Sequence, residues 1–81
     1  MTLESLKNAP HVTGLKQVGK IVGKGDAKCV FVAVDADERV TKPLKALCEE
    51  KGVPVNDTAT MAEIGKACVI EVGAAAAAIL K

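Results

Sequence analysis

Lysines repeat every four residues in one part of this chain, at Lys16, Lys20 and Lys24, with Gln17 beside them. Residues four apart lie on one side of a helix, so the three ammonium groups would form a single row. Residues 7–28 hold five lysines against one aspartate, a net +4, although the whole chain carries only +1. Such a row is either a solvated helix face or a surface for phosphate groups, and spacing alone leaves both open.

The same stretch contains part of a nucleotide-binding motif. Residues 14–21 read GLKQVGKI, which satisfies G-x-x-x-x-G-K, but Ile21 stands where Ser or Thr must bind Mg²⁺. Leu15, Val18 and Val22 recur with helical spacing through these residues. A helix therefore explains the segment better than a phosphate loop, and nucleotide binding is kept only as a third alternative.

Groups that could catalyse a reaction or hold a metal are few and scattered. Asp35, Asp37 and Glu38 lack the other ligands of a calcium loop, so we interpret them as a turn and cap before a helix. His11 stands alone, and Ser5 is the only serine. We therefore expect a protein that is not an enzyme, with no catalytic residues, no metal site and no cofactor.

Cysteine spacing and hydropathy bear on location. Cys29, Cys48 and Cys68 stand 19 and 20 residues apart, which fits neither a zinc site nor a disulfide framework, so we expect reduced, buried thiols. The first ten residues carry charges where a secretory signal needs an apolar core. The longest uncharged apolar stretch, residues 72–80, is far shorter than the ~20 residues that span a bilayer. These features predict a cytoplasmic protein with no membrane partner.

Length and composition limit the architecture. The 81 residues suffice for one hydrophobic core, so we expect one domain over residues 1–81. Hydrophobic residues make up 49%, which is too apolar for intrinsic disorder. Phe31 is the only aromatic residue, which excludes a nucleic-acid site built from stacked rings. Any such site must use lysines, backbone groups and aliphatic side chains.

The elements that would position these residues alternate along the chain. Helices are predicted at about residues 3–7, 15–23, 40–51 and 60–67, and strands at residues 11–13, 29–34 and 53–55. Gly23 and Gly25 should end their helix by positive φ, and Pro43 should lie in the first turn of its helix. The unbroken apolar run at residues 29–34 is typical of a central strand covered on both faces, as in an α/β sandwich.

The last segment, residues 68–81, reads CVIEVGAAAAAILK and is ambiguous by local rules. Its five alanines favour a helix, but only eight residues follow Gly73, which makes an isolated helix marginal. The alternation of strands and helices before it asks for a strand instead. We predict a strand.

Four segments follow one another in the order seen in the kink-turn RNA-binding family of large-subunit ribosomal proteins. They are GLKQVGK at residues 14–20, VFVAVDAD at 30–37, LCEEKGVP at 47–54 and GKACVIEVGAAAAAI at 65–79. The chain most resembles the small bacterial stand-alone branch of that family. The resemblance covers nearly the whole chain and implies a three-layer α/β/α sandwich around a mixed, four-stranded sheet.

The resemblance also implies which residues meet RNA. Gly14 would permit close approach of the RNA backbone, while Lys16, Gln17 and Lys20 would face guanine edges and phosphates near tandem sheared G·A pairs. Lys24 extends this basic row. In the loop before the last strand, the residues under the extruded base of the bulge would be Val69, Ile70, Glu71 and Val72. Gly19 departs from the family and costs its helix about 1 kcal/mol relative to alanine.

We therefore predict a non-enzymatic, monomeric RNA-binding protein that recognises kink-turns in ribosomal or regulatory leader RNA. A sharply bent duplex exposes base edges that regular A-form RNA hides, and a helix N-terminus favours nearby phosphate. Aliphatic Ile70 and Val72 could cover an unstacked base without an aromatic ring. The alternative is a protein-interaction or assembly module of the same fold that has lost RNA binding.

Overall fold

The computed structural model describes residues 6, 8–68 and 73–81. Four strands form one sheet in the order β1–β4–β2–β3. They are β1 (His11–Thr13), β2 (Ala27–Val32), β3 (Val55–Asn56) and β4 (Ala76–Leu80). Strand β4 runs antiparallel to both β1 and β2, whereas β2 and β3 are parallel. The prediction of a mixed, four-stranded sheet is confirmed.

Helices cover both faces of this sheet. They are α1 (Leu15–Gly23), α2 (Glu38–Lys51) and α3 (Met61–Ala67). Val18 of α1 and Leu44 of α2 are buried together against one face, in a cluster that includes Val30. Ile64 of α3 is buried against the opposite face with Phe31. The two clusters are the two interfaces of a three-layer α/β/α sandwich, as predicted.

The alanine-rich end of the chain forms the strand β4 between β1 and β2. Ala76, Ala77 and Ala78 have no exposed surface, and Ile79 is 2% exposed. Ala76 and Ala78 lie in the cluster with α1 and α2, whereas Ala77 and Ile79 lie in the cluster with α3. A strand buried on both faces must be apolar throughout, so the fold overrides the helical propensity of alanine. The predicted strand is confirmed.

The end of α1 corrects one prediction. Gly25 has a φ of 75°, but Gly23 is the last helical residue and does not have positive φ. The N–H of Gly25 donates to the carbonyl of Val22 at 3.0 Å, and that of Asp26 donates to Ile21 at 3.1 Å. These two bonds form a Schellman motif, which needs a left-handed residue at one position only.

Helix α2 begins at Glu38, two residues before the predicted start. Asp37 caps it by accepting from the N–H of Arg39, and Gly52 ends it with a φ of 69°. Because the helix starts earlier, Pro43 lies in its second turn. The prediction that Pro43 lies in the first turn was wrong. Because proline has no N–H, Pro43 removes one intrahelical hydrogen bond of α2 at an exposed position.

The strands around α2 and α3 differ slightly from prediction. β2 begins and ends two residues earlier than the predicted strand, and the N–H of Val34 donates to the carbonyl of Ala59 instead, at 2.8 Å. β3 starts only at Val55, beside β2 at the edge of the sheet. Pro54 still contributes its carbonyl, which accepts from Val30 at 3.0 Å.

The start of α3 confirms the predicted capping box. The side chain of Thr60 accepts from the N–H of Glu63 at 3.2 Å, and that of Glu63 accepts from the N–H of Thr60 at 3.0 Å. The helix predicted at residues 3–7 lies outside the described residues except for Leu6, which is fully buried. Within the described ranges, the helices fall short of the length and apolar character that crossing a membrane requires.

Candidate nucleic-acid interface

The connections β1–α1 and β2–α2 leave the sheet at the same edge, on either side of β4. Gly14, in the first connection, donates its N–H to the carbonyl of Ala76 at 3.0 Å. Ala33, in the second, donates to the carbonyl of Ala75 at 2.8 Å. Because neighbouring strands lie about 4.8 Å apart, the two connections are roughly 10 Å apart. The chain entering β4 therefore lies between the starts of α1 and α2.

Helix α1 has an open N-terminus at this edge. Its cap is Gly14, with φ 93° and ψ 141°, which offers no side-chain hydrogen bond, and its first turn holds no acidic residue. Helices α2 and α3 are capped by the side chains of Asp37 and Thr60, and each carries a glutamate in its first turn. The first N–H groups of a helix lack intrahelical partners and carry partial positive charge. Among the described residues, no side chain caps these donors in α1.

The predicted polar side chains lie on the exposed surface of α1. Lys16, Gln17 and Lys20 are exposed, and no ion pair found among the described residues involves either lysine. Lys24 is also exposed, but it follows the helix as its C-terminal cap. At 1.5 Å per residue, it lies roughly 12 Å along the axis from Lys16. The fold thus groups Lys16 and Gln17 with Gly14, places Lys20 one turn behind, and leaves Lys24 at the far end.

The second half of the predicted site, residues 69–72, lies outside the described residues. The chain that follows it is held at two points. Ala74 donates its N–H to the carbonyl of Met61 at 3.1 Å, and Ala76 accepts from Gly14. Gly73 and Ala74 therefore lie beside Met61 at the start of α3, and Ala76 lies beside the start of α1.

The acidic turn after β2 has the capping role predicted for it. Asp37 accepts from the backbone N–H of Arg39 at 2.9 Å and from Nη2 of the same residue at 3.0 Å. These bonds, chiefly those from the Arg39 side chain, hold the pKa of the Asp37 carboxyl below its ordinary value. Asp35 accepts instead from the N–H of Met61, at 2.8 Å and 26 positions further along the chain. No local sequence signal could have revealed that contact.

Two large apolar side chains near this edge are exposed, although Val34 belongs to the apolar run at residues 29–34 and Val40 keeps helical spacing with Leu44. Val34 is 55% exposed because it lies past the end of β2, and Val40 is 46% exposed in the first turn of α2. The buried face of α2 is instead formed by Thr41, Leu44 and Cys48. Helical period identifies a stripe, but it does not reveal which residue at its margin faces solvent.

The three cysteines are free and buried, as predicted. Burial raises the pKa of the thiols of Cys29, Cys48 and Cys68 above the ordinary value. A protonated, buried thiol is a poor nucleophile, so these side chains act as small apolar residues of the core.

The remaining candidates are the partial nucleotide-binding motif, His11 and the possible metal ligands. Gly19 and Lys20 lie inside α1, so residues 15–21 are helical and do not form a phosphate loop. Nδ1 of His11 lies 2.9 Å from the carbonyl oxygen of Ala9. Within the described part of the chain, no three His, Cys, Asp or Glu side chains are grouped as metal ligands would be.

Comparison with known proteins gives a consistent family. Residues 2–81 match the model of the ribosomal protein L7Ae/L30e/S12e/Gadd45 family. An RNA-binding protein of Caldanaerobacter subterraneus subsp. tengcongensis is 46% identical over 68 residues, which cover 84% of this chain and 83% of the relative. The RNA-binding protein YbxF of Geobacillus stearothermophilus is 44% identical over 70 residues, covering 86% and 85%.

A solved structure extends the match to the fold. The 15.5kD RNA binding protein of Giardia lamblia superposes with a TM-score of 0.89 at 32% identity, over 98% of this chain and 70% of that one. The family resemblance inferred from the four sequence segments is confirmed. With a matching family model over nearly its whole length and close relatives of similar size, this chain belongs to the ribosomal protein L7Ae/L30e/S12e/Gadd45 family.

Proposed function

We propose that this protein is a non-enzymatic RNA-binding protein that recognises kink-turns, which are sharply bent, bulged duplexes with tandem sheared G·A pairs. The observation that carries the proposal is the N-terminus of α1, where no side chain in the described ranges caps the backbone donors and where Lys16, Gln17 and Lys20 are exposed. Family membership supports it, as do two relatives and a structural neighbour that are named RNA-binding proteins.

The chemistry of this surface suits a bent duplex. Lysine ammonium groups and helix N-terminal N–H groups bind phosphate, whereas the Gln17 amide both donates and accepts and so can pair with a guanine edge. Gly14 leaves the approach open, because a Cβ at that position would have no heavy atom within 4 Å. The major groove of a regular A-form duplex is deep and narrow, so a helix end reaches the base edges in it only where the duplex is disrupted. A regular duplex would offer phosphates and 2′-hydroxyls, but not the major-groove guanine edge that Gln17 would recognise.

The other proposed contacts extend from this centre. Residues 69–72 would cover the extruded base with the aliphatic side chains of Ile70 and Val72, and Ala76, four residues further along, accepts a hydrogen bond from Gly14 at the start of α1. Lys24, about 12 Å from Lys16, would meet a phosphate further along the duplex.

A titration with two RNAs tests the proposal. The first is a kink-turn RNA, and the second is a copy in which Watson–Crick pairs replace both sheared G·A pairs, at the same length and salt. We expect the kink-turn RNA to bind at least about tenfold more tightly, and Gln17→Ala to reduce that preference. Lys66→Ala, at an exposed position on α3 across the sheet, is the control and should preserve it. Equal affinity of the unmodified protein for both RNAs would contradict the proposal.

One observation favours the alternative of a protein-interaction module. Val40 lines an open, largely apolar groove between α1 and α2, together with Leu15 and Leu47. If that role replaced RNA binding, the protein purified from cells under ribonuclease control would carry no crosslinked RNA. Recovery of bent, bulged RNA in the same experiment would favour the kink-turn proposal.

A further inference from the structure

The open groove between α1 and α2 is lined entirely without polar side chains. Leu44, which is 6% exposed, lies at its floor, and Val40 on the α2 side is 46% exposed. The cavity has a volume of about 230 Å³, and its lining consists of Leu15, Gly19, Val40, Pro43, Leu44 and Leu47. Apolar surface that is gathered in one place, and not scattered singly, is typical of an interaction site.

Gly19 leaves the middle of the groove open. Glycine is unfavourable inside a helix, and here the backbone does not require it, because Gly19 lies in α1 without positive φ. Close packing does not require it either, since an added Cβ would meet nothing within 4 Å. A longer side chain at this position would occupy the space between the two helices. The glycine is therefore explained by a groove that receives another molecule.

The charges that flank the groove are basic. The charged residues next in sequence to those of the lining include no acid and are Lys16, Lys20, Arg39, Lys42 and Lys45. Two of these side chains pair with aspartates, at 3.0 and 3.4 Å. Lys16, Lys20 and Lys42 are exposed and take part in no ion pair found among the described residues. A ligand with carboxylates beside its apolar groups would therefore be attracted to the rim.

The lining and the rim disfavour two other occupants. A nucleobase has hydrogen-bonding groups around its edge, but the lining offers these groups no side-chain partner and no ring for stacking. A second copy of this chain, joined through the same groove, would bring the basic rims of both copies together, and like charges oppose that contact. An acidic segment of a different protein meets neither obstacle.

We propose that the groove between α1 and α2 binds an acidic, amphipathic helix of a partner protein. Val40 and Leu47 are seven residues apart on α2, which is roughly 10 Å along the axis, or about two turns of a helix. A partner helix of that length presents apolar anchors at positions i, i+4 and i+7. This site is additional to the proposed RNA surface, and binding there does not depend on RNA recognition.

Three synthetic peptides of about 15 residues are the probes. The acidic peptide carries leucines at i, i+4 and i+7 with glutamates beside them, the scrambled peptide has the same composition without a leucine face, and the basic peptide replaces each glutamate with lysine. We expect the acidic peptide to bind at least about tenfold more tightly than either control in NMR titrations and to shift the amide signals of Gly19, Val40 and Leu47. Equal affinity for all three peptides would overturn the proposal, and so would shifts that leave these amides unchanged.

Two variants alter the groove itself. Gly19→Leu fills it with a good helix former and should weaken acidic-peptide binding by about tenfold or more without lowering the melting temperature. Val40→Asp removes an apolar contact and adds a repelling charge, so a loss of at least about fivefold is expected. Val34→Asp is the matched control, because Val34 is 55% exposed and lies outside the groove, and it should stay within about twofold. Full affinity in a folded Gly19→Leu protein would refute the site.

A further pair of variants examines the charge of the partner without altering the proposed RNA residues. Lys42→Glu should weaken binding of the acidic peptide by about threefold and strengthen binding of the basic peptide. Lys66→Glu makes the same change at an exposed position on α3 and should leave both affinities near their original values. If Lys42→Glu and Lys66→Glu behave alike, the partner is not selected by its acidic groups and the proposal is wrong.

The other occupants are detected with the unmodified protein. Self-association in sedimentation velocity that Val40→Asp abolishes would assign the groove to a second copy. Shifts at Gly19 and Leu47 that a single-stranded RNA produces, and that the acidic peptide does not, would assign it to nucleic acid. Either result would overturn the proposal. Loss of the preference for kink-turn RNA would instead contradict only the proposed function.

Discussion

Gly14 donates its backbone N–H to the carbonyl oxygen of Ala76 at 3.0 Å, although the two residues lie near opposite ends of the chain. Gly14 caps the helix that carries Lys16 and Gln17, and Ala76 begins the strand that follows residues 69–72. One main-chain bond thus relates the two parts of the proposed RNA surface. A change in the backbone at Gly14 should therefore affect both stability and binding.

Replacing Gly14 with alanine tests this relationship. A φ of 93° with ψ of 141° lies in a region that is nearly restricted to glycine, although no heavy atom lies within 4 Å of the added Cβ. The penalty is therefore backbone strain, and we expect Gly14→Ala to lower the free energy of unfolding by about 1–3 kcal/mol in urea titrations. An unchanged midpoint would contradict the conformation described for Gly14.

Replacing Gly19 with alanine should have the opposite effect on stability. It lies inside α1 with helical backbone, and an added Cβ would meet nothing within 4 Å. Gly19→Ala should raise the free energy of unfolding by about 0.5–1 kcal/mol, since glycine costs a helix that much. The melting temperature should rise by roughly 4 °C, with affinity for kink-turn RNA retained. A lower melting temperature would show that the space over Gly19 is not open.

Lys20 should contribute an electrostatic, salt-dependent part of RNA binding. Lys20→Ala should weaken binding to kink-turn RNA and reduce the slope of log affinity against log salt by about one unit. Lys51→Ala is the matched control, because Lys51 is an exposed lysine in the last turn of α2. If the slope is unchanged in Lys20→Ala, or falls as much in Lys51→Ala, Lys20 does not contact phosphate.

The lowered pKa of Asp37 predicts a pH dependence of stability. A carboxyl whose pKa is lower in the folded protein stabilises it above the unfolded value, about 3.9, and this stabilisation disappears as the pH falls through the folded value. The unmodified protein should therefore be more stable than Asp37→Asn at neutral pH, and the difference should shrink below about pH 4. Because Asp37 is exposed, the difference should be small and should decrease in high salt. Denaturant titrations at several pH values would measure it, and a constant difference would contradict the role of the charge.

Local signals predicted the helices well because caps and helical period depend on near neighbours. Leu15, Val18 and Val22 marked α1, and the reciprocal pair Thr60 and Glu63 marked the start of α3. Errors arose at margins, as with Val40, which follows the helical pattern of α2 but lies outside its buried face. Whether a residue at the margin of α2 is buried depends on how far the sheet and α1 cover the helix. The helical spacing of apolar residues does not contain that information.

The candidate site was likewise predicted only in part from the sequence. The types and spacing of Lys16, Gln17 and Lys20 identified an exposed basic row, and family resemblance supplied its proposed ligand. The structure added that no side chain of the described residues caps α1 at this end and that Lys24 lies at the other end of the helix. It also revealed the contact between Asp35 and Met61, which no residue pattern suggested.

The sequence by itself determined the alternation of strands and helices, the caps that begin and end them, and the family to which the chain belongs. Only the tertiary structure decided that β4 lies between β1 and β2, and therefore that Gly14 meets Ala76 and Met61 holds both Asp35 and Ala74. The reason is physical. A cap or a helical stripe is set by residues a few positions apart, whereas hydrogen bonds between distant segments depend on which strands pair. An aspartate in a turn has the same local sequence whether it caps its own helix or a remote one.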